Sequence, residues 1–100
     1  MRRLDFGVIN QAALAALPAV LARVLPSGKT MHKEWVALNP RRRDRSLGSF
    51  KVNRFNGKWC DFATGEKGGD PVSLVAYVEG VSQSEAAHLL AQMLGIEARQ

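Results

Sequence analysis

The residues that could bind a phosphate group lie in segment 59–74, which reads WCDFATGEKGGDPVSL. Gly65, Gly68 and Gly69 precede Asp70-Pro71, a typical helix start, because the carboxylate accepts from free backbone N–H groups and proline needs none. A strand, a glycine-rich loop and a helix N-terminus also make up phosphate-binding loops. However, neither G-x-x-x-x-G-K-S/T nor G-x-G-x-x-G is present, and Asp70 places a negative charge where a phosphate would lie. The segment therefore favours a structural turn over a nucleotide site.

A strongly basic stretch lies between residues 41 and 58, in a chain whose net charge is +5. Asp44 is its one acid, against seven cations: Arg41, Arg42, Arg43, Arg45, Lys51, Arg54 and Lys58. A basic region on an otherwise mildly charged domain is expected of a polyanion-binding protein, whereas the alternative is a solvated loop. We predict phosphate contacts for these residues, because clustered arginines repel one another unless a counter-charge binds them.

Aromatic residues lie within and next to this basic stretch. Trp59 and Phe55 could stack on unpaired bases, with Lys51, Arg54 and Lys58 beside them, as in proteins that bind single strands. Trp59 could equally be a core residue, and the sequence leaves both interpretations open. We therefore predict a nucleic-acid-binding site that consists of the seven cations and Trp59.

The other reactive residues show no catalytic or metal-binding pattern. The single Cys60 excludes an internal disulfide, suits a reducing cytoplasm and is expected to be an inert strand residue. His32 and His88 lack the partner spacing of a catalytic or metal site, and Asp70 is more simply a helix cap than half of an acid pair with Asp61. We predict no enzyme activity and no cofactor.

We also expect no membrane partner, because no apolar run reaches the about 18 residues of a transmembrane helix.

The first third of the chain predicts helical structure. Residues 1–9 read as a loosely held lead-in, and Asn10 could cap a helix over residues 11–25, where leucines and valines recur at helical spacing. Pro18 either kinks this helix or divides it in two. Residues 29–33 read as a polar loop.

Three stretches have the character of short strands: residues 34–38, 49–55 and 59–62. Asn56-Gly57 is typical of a two-residue hairpin turn. Such a turn would pair Arg54 with Trp59 and Val52 with Asp61. Alternation then puts one group of residues on a first face: Phe50, Val52, Arg54 and Trp59. A second group lies on the opposite face: Lys51, Asn53, Cys60 and Phe62. One face must pack on helices, which leaves the other to expose an aromatic or basic stripe.

The last third predicts two helices. Residues 72–79 form a short apolar helix that Gly80 ends, and Ser82 and Glu85 have the spacing of a capping box for a second helix, which Gly95 ends. The expected buried stripe of this second helix is Ala86, Leu89, Leu90, Met93 and Leu94. The predicted fold class is α+β, with a small antiparallel sheet of about three strands packed with N-terminal and C-terminal helices.

Several of these motifs, taken in order, resemble a known family. They are Ser49-Phe50-Lys51-Val52, Trp59-Cys60, Asp61-Phe62-Ala63-Thr64-Gly65, Gly68-Gly69-Asp70 and the closing helix after Gly80-Val81-Ser82. This order is similar to the N-terminal zinc-ribbon domain of bacterial and phage-type DNA primases. It is more similar still to the branch at the front of primase–helicase proteins of phages, plasmids and integrated elements. The resemblance covers roughly residues 34–96, with residues 1–33 as an N-terminal helical segment of the same domain.

The resemblance does not extend to the zinc ligands. A primase ribbon holds zinc with a Cys-x-x-His pair before the Ser-Phe strand and a Cys-x-x-Cys pair after the hairpin. Here the first place falls near residues 38–41, which contain no ligand, while Cys60 and Ala63 take the third and fourth ligand positions. A closed structural site needs about four Cys or His ligands, so we expect no zinc. The fold would instead be stabilised by packing around Trp35, Phe50, Trp59 and Phe62.

The resemblance implies a non-catalytic module that engages a single-stranded template, DNA or RNA, in replication and primer synthesis. It would position that template for a primase or helicase partner. The alternative is an assembly module of a primase–helicase system that no longer binds nucleic acid, and a salt-insensitive contact through the final helices would favour it. Both a free-standing protein and a part of a longer one fit the sequence.

Overall fold

One antiparallel sheet and a set of helices make up residues 5–41 and 48–96, which the computed structural model describes. In chain order these residues form α1 (Phe6–Ala15), α2 (Leu17–Val24), β1 (Lys29–Met31), β2 (Glu34–Ala37), β3 (Phe50–Asn53), β4 (Trp59–Asp61), β5 (Lys67–Gly68), α3 (Pro71–Glu79) and α4 (Gln83–Leu94). The five strands lie in chain order across the sheet. The predicted α+β class and antiparallel sheet are confirmed, and β2, β3 and β4 are the strands that the sequence predicts.

The two edge strands are additional to the prediction. β1 is three residues long and β5 two, which is too short to show strand alternation in the sequence. The predicted loop over residues 29–33 is wrong for its first part, because Lys29 pairs with Val36 and Met31 with Glu34.

The N-terminal helices begin earlier than predicted and are separated at Ala16. Asp5 caps α1 and accepts from the Val8 N–H at 2.9 Å, so residues 5–9 are not a loose lead-in. Pro18 lies in the first turn of α2, where its missing N–H leaves no intrahelical bond unmade. Of the two predicted outcomes, division of the helix is therefore the correct one. No single described helix is long and apolar enough to cross a membrane; α1 and α2 meet that test only together, across a 93° bend.

Asn10 does not cap the N-terminal helix as predicted, but its side chain accepts a hydrogen bond from a first-turn N–H of another helix. It lies inside α1, and its Oδ1 accepts from the Val72 N–H at 2.9 Å, in the first turn of α3. The residue type thus indicates a capping role, while the partner is 62 residues away in the chain.

The β3–β4 hairpin has a longer loop than predicted. Val52 lies opposite Trp59 and Phe50 opposite Asp61, so the register differs by two residues from the predicted pairing. The loop consists of the four residues Arg54, Phe55, Asn56 and Gly57, since Asn53 N–H still donates to the Lys58 carbonyl at 2.7 Å. A shift of two residues leaves every side chain on its face, because the strand period is two. The predicted faces of the strand residues therefore stand.

The C-terminal helices have the predicted end signals. Asp70 caps α3 and accepts from the Ser73 N–H at 2.8 Å, and Gly80 ends the helix with a φ of +67°. Ser82 caps α4 and accepts from the Glu85 N–H at 3.1 Å. The buried stripe of α4 is rotated relative to the prediction, since Leu89 is 39% exposed. Its buried residues are Ala86, Ala87, Leu90 and Ala91.

The core lies between one face of the sheet and the helices. Phe50 is fully buried, with ring centroids 5.8 Å from Trp59 and 5.9 Å from Tyr77. Helix residues complete this cluster: Ile9, Leu17, Leu21, Leu74 and Leu90. Of the four aromatic residues expected to replace zinc, Phe50 and Trp59 are buried and Trp35 packs at the margin. Phe62 does not take part: it is 68% exposed, because it follows β4 on the opposite face.

Candidate nucleic-acid interface

The sheet face that points away from the helices carries a row of lysines. The strand register places five residues side by side, one from each strand: Lys29, Val36, Lys51, Cys60 and Lys67. Neighbouring strands lie about 4.8 Å apart, so successive lysines of the row are separated by about 10 Å. Lys29 and Lys67 are exposed and the Lys51 side chain is 33% exposed, whereas Val36 is buried. We call Lys29, Lys51 and Lys67 the lysine row.

Two hairpin loops next to this face share one design. The β3–β4 loop follows Asn53 and the β4–β5 loop follows Asp61, and in each the Asx side chain accepts the N–H two residues on, at 2.8 Å. Each loop ends in a glycine with left-handed φ, +74° at Gly57 and +81° at Gly65. Those glycines donate to the carbonyls of Asn53 and Asp61 at 3.0 and 2.7 Å. The loops are therefore fixed by their own hydrogen bonds.

Each loop presents an exposed phenylalanine with a cation beside its ring. Phe55 is 67% exposed, and the Arg54 guanidinium lies 5.7 Å from its centroid. Phe62 is 68% exposed, and Lys51 Nζ lies 5.6 Å from its centroid. Arg54 is also held in place, since Nη1 donates to the His32 carbonyl at 2.9 Å. Exposed contacts of this kind contribute about 0.5–1 kcal/mol, enough to bias the side-chain orientations.

The predicted site residues that the structure describes do not all lie together. Lys51 lies on the solvent face, with Arg54 and the exposed Lys58 at the β3–β4 loop. Arg41 lies elsewhere, with Nη1 3.4 Å from the Tyr77 carbonyl and the guanidinium 5.6 Å from the Tyr77 ring. The remaining predicted arginines, Arg42, Arg43 and Arg45, lie outside the described residues.

Trp59 faces the core. It is 6% exposed, and Nε1 donates to Ser73 Oγ at 3.0 Å. Its ring lies 4.7 Å from that of Tyr77, centroid to centroid. Of the two interpretations that the sequence leaves open, the structure therefore favours the core residue, and the exposed aromatic rings near the cations are those of Phe55 and Phe62.

Sequence reasoning misses three residues of this surface, Lys29, Lys67 and Phe62. The two lysines belong to the edge strands, and only the register brings them into line with Lys51. For Phe62 the sequence does carry a signal, because the alternation of residues 59–62 places it on the same face as Lys51. The sequence carries no such signal for Lys29 and Lys67.

One acid lies among these cations. Glu34 Oε1 is 3.8 Å from Lys51 Nζ, with 41% of the Glu34 side chain exposed. An exposed pair at this distance contributes at most about 1 kcal/mol to stability. Its carboxylate competes with any anion for Lys51.

A polar cluster with a buried centre lies on the opposite face of the sheet. Asp61 is fully buried and Asn39 is 1% exposed. The Asn39 amide nitrogen Nδ2 donates two hydrogen bonds, one to Asp61 Oδ2 at 2.6 Å and one to the Tyr77 hydroxyl at 2.8 Å. The Tyr77 hydroxyl in turn donates to Glu66 Oε1 at 2.9 Å. We call these four residues the polar cluster.

The polar cluster joins the two segments in which the primase resemblance would place ligand pairs. Asn39 lies in segment 38–41, and Asp61 lies between Cys60 and Ala63. A hydrogen bond between the two side chains thus connects these segments. Cys60 points to the solvent face instead, and within residues 5–41 and 48–96 no group of three or more His, Cys, Asp or Glu side chains is placed to hold a metal ion.

Burial raises the pKa of the Tyr77 hydroxyl above its ordinary value of 10.0. The hydrogen bond from Asn39 lowers this pKa, whereas the hydrogen bond to Glu66 and the charges of Glu66 and Asp61 raise it. The folded protein therefore holds this proton more tightly than the unfolded chain does.

We expect the free energy of unfolding to fall at alkaline pH because of Tyr77. Below about pH 10 both states keep the proton, so the contribution of this group is fully present. Above that pH the unfolded chain loses the proton first, and the contribution is lost as the pH rises through the folded-state pKa. Urea unfolding of the wild type and of Tyr77→Phe at several alkaline pH values isolates the effect, since lysines titrate in both. Equal slopes against pH in the two proteins would contradict it, and phenolate absorbance of this single tyrosine measures the folded-state pKa directly.

A second surface feature is an open groove between α2, α3 and α4. Its volume is about 350 Å³, and its lining is mixed: four apolar residues, one amide, one cation from α2 and one acid from α3. The residues are Arg23, Val24, Val75, Glu79, Leu89, Gln92 and Met93. Such a groove is suited to contact with another protein rather than to phosphate binding.

No protein-family model and no curated protein matches this chain in sequence. The primase resemblance therefore depends on the motifs themselves. In the structure these motifs form the β4–β5 hairpin (residues 61–65), the start of α3 (residues 68–70) and the α3–α4 pair.

Proposed function

We propose that this chain is a non-catalytic nucleic-acid-binding module that engages single-stranded DNA. Following the primase resemblance, it would act in the cytoplasm, in replication and primer synthesis of a phage, plasmid or integrated element. A primase or helicase would be its partner. The observation that carries the proposal is the lysine row together with two exposed phenylalanines, Phe62 in contact with Lys51 and Phe55 in contact with Arg54 of the β3–β4 loop.

The pairing of cations with aromatic rings favours a single strand as the ligand. Lysines supply phosphate contacts on any nucleic acid. Exposed aromatic rings add affinity only where bases are unpaired and offer a free face for stacking. Phe55 and Phe62 each have such a ring, and each lies next to a cation.

The groove between α2, α3 and α4 supports a second candidate, an assembly module that contacts a partner protein. Four of its seven lining residues are apolar, and its two charged residues, Arg23 and Glu79, have opposite signs. Binding there would depend little on salt, because apolar burial rather than counterion release would supply the free energy. The salt dependence of binding therefore separates the two functions.

We expect an oligothymidylate of about twelve nucleotides to bind the full chain and to dissociate as salt is raised. Removing the lysine row with Lys29→Ala/Lys51→Ala/Lys67→Ala should weaken binding on the order of tenfold at low salt. It should also reduce the slope of log K against log salt by about 1.4 if two lysines contact phosphates and by about 2 if all three do, because each phosphate contact contributes about 0.7 for a single strand. Fluorescence anisotropy of a labelled oligonucleotide at several salt concentrations measures both quantities.

Two further variants control for net charge. Arg41→Ala/Arg42→Ala/Arg43→Ala also removes three cations, so a difference between the two triple variants reports where the strand lies rather than how charged the protein is. Glu34→Gln acts in the opposite direction and should tighten binding about two- to fivefold, because it removes the carboxylate that competes for Lys51. A wild-type chain that binds no oligonucleotide at low salt would overturn the proposal and favour the partner-protein function.

A further inference from the structure

The solvent face of β4 is surrounded by groups that suit a polynucleotide. Its outward residue is Cys60, with Lys51 directly opposite on β3 and Lys67 directly opposite on β5. Phe62 follows one end of the strand, and the loop with Phe55 precedes the other end. We call these five residues the β4 surface.

The length of this surface matches a few nucleotides. The hydrogen bonding between β3 and β4 continues beyond the ends of both strands. The Asn53 N–H donates to the Lys58 carbonyl, and the Phe62 N–H donates to the Ser49 carbonyl. From residue 58 to residue 62 the chain advances about 13 Å at 3.3 Å per residue. About four stacked nucleotides, at 3.4 Å each, or fewer extended ones, span that distance.

The backbone that carries the two rings is held by hydrogen bonds of its own loops. The Phe55 N–H and the Ala63 N–H are each held by an Asx side chain at 2.8 Å, which fixes both loops. Cations lie within 5.7 Å of both ring centroids, which restricts the side-chain rotamers. Stacking on such rings loses less conformational entropy than stacking on free side chains would.

We propose that the β4 surface holds a short run of unpaired nucleotides along the strand direction, with bases stacked on Phe62 and Phe55 and phosphates on Lys51 and Lys67. This assignment rests on the proposed function. It specifies in addition which residues contact the bases and in which direction the nucleotide chain crosses the sheet. Charge complementarity selects an anionic ligand, and the exposed ring faces select one with unpaired bases. The nucleotide chain passes over Cys60.

Substitution of each ring tests the base contacts. Phe62→Leu and Phe55→Leu keep an apolar side chain and remove the aromatic face, and each should weaken oligothymidylate binding about 5- to 150-fold, the range of one lost stacked base. The salt slope should stay unchanged, because no phosphate contact is lost. Met31→Leu is the matched control: Met31 is 46% exposed on the same face, at the β1 edge, and its replacement should leave affinity unchanged.

An oligonucleotide with abasic sites tests stacking without changing the protein. It keeps every phosphate, so the wild type should lose affinity for it, whereas a Phe55→Leu/Phe62→Leu variant should bind the two ligands almost equally. If both phenylalanine variants bind as the wild type does while the lysine-row variant binds weakly, the base contacts are wrong and the phosphate-binding function stands. If no protein binds at all, the function itself fails.

The reactivity of Cys60 tests whether the bound oligonucleotide covers β4. It is the only cysteine of the chain and is partly exposed between the two lysines. A saturating oligothymidylate should slow its modification by a small thiol reagent several-fold, and inorganic phosphate at the same ionic strength should not. An unchanged rate with bound oligonucleotide would overturn the placement over β4.

Discussion

Replacing Phe50 by alanine is expected to lower the free energy of unfolding by about 3–5 kcal/mol, the largest effect of any single change considered for this chain. The Phe50 side chain is fully buried, and its ring packs against those of Trp59 and Tyr77, with centroid distances of 5.8 and 5.9 Å. Truncation removes apolar contacts and leaves a cavity that two large aromatic side chains cannot easily fill. Urea unfolding monitored by circular dichroism measures the loss.

The size of this effect matters for a chain of 100 residues. A domain of this size has a total stability of about 5–15 kcal/mol, so the variant should be unfolded or close to it at moderate temperature. Phe50→Leu should lose less, about 1.5 kcal/mol, because most of the volume is kept. Phe62→Ala is the exposed control and should change stability by no more than about 0.5 kcal/mol. An equal loss for Phe50→Ala and Phe62→Ala would contradict the placement of the core on one face of the sheet.

Replacing Asn39 by alanine is expected to lower the free energy of unfolding by about 2–3 kcal/mol. The side-chain amide of Asn39 donates to the fully buried Asp61 carboxylate and to the Tyr77 hydroxyl, and its oxygen accepts from the Arg41 N–H at 2.8 Å. Alanine removes a donor to a buried charge, and water does not replace it without rearrangement. The loss should therefore exceed that of an ordinary surface hydrogen bond.

A double-mutant cycle tests whether the polar cluster acts as a unit. Asn39→Ala and Tyr77→Phe should be non-additive by more than about 0.5 kcal/mol, because the two side chains share a hydrogen bond. Asn56→Ala is the control for a generic asparagine substitution: its side chain accepts from the Lys58 N–H on the exposed loop, and its loss should be smaller. Strict additivity, together with a loss for Asn39→Ala no larger than for Asn56→Ala, would contradict a stabilising role of the polar cluster.

The stability predictions and the binding predictions concern opposite faces of one sheet. Phe50 and Asp61 face the helices, whereas Lys51 and Cys60, their sequence neighbours, face the solvent. Variants of the solvent face should therefore change affinity with little change in stability. Variants of the buried face should change stability first.

The sequence by itself determines the features that depend on near neighbours in the chain. Asp70 and Ser82 cap helices through N–H groups three residues away, and Gly80 and Gly95 end them with left-handed backbone. The alternation along residues 50–53 likewise divides buried from exposed side chains. These signals can be read locally because the groups that interact lie within one turn or one strand.

Only the tertiary structure decides the features that depend on distant partners. Asn10 accepts from an N–H of α3 instead of capping α1, Trp59 belongs to the core, and Asn39 meets Asp61 across the fold. The lysine row requires β1 and β5, which are too short to show a periodic signal in the sequence. It also depends on the β3–β4 register, which the four-residue loop shifts by two positions from the predicted pairing. Hydrophobic period and turn residues specify which face a side chain takes, but not which strand lies beside it. That choice is made by packing between segments far apart in the chain, and it is this packing that forms the candidate site.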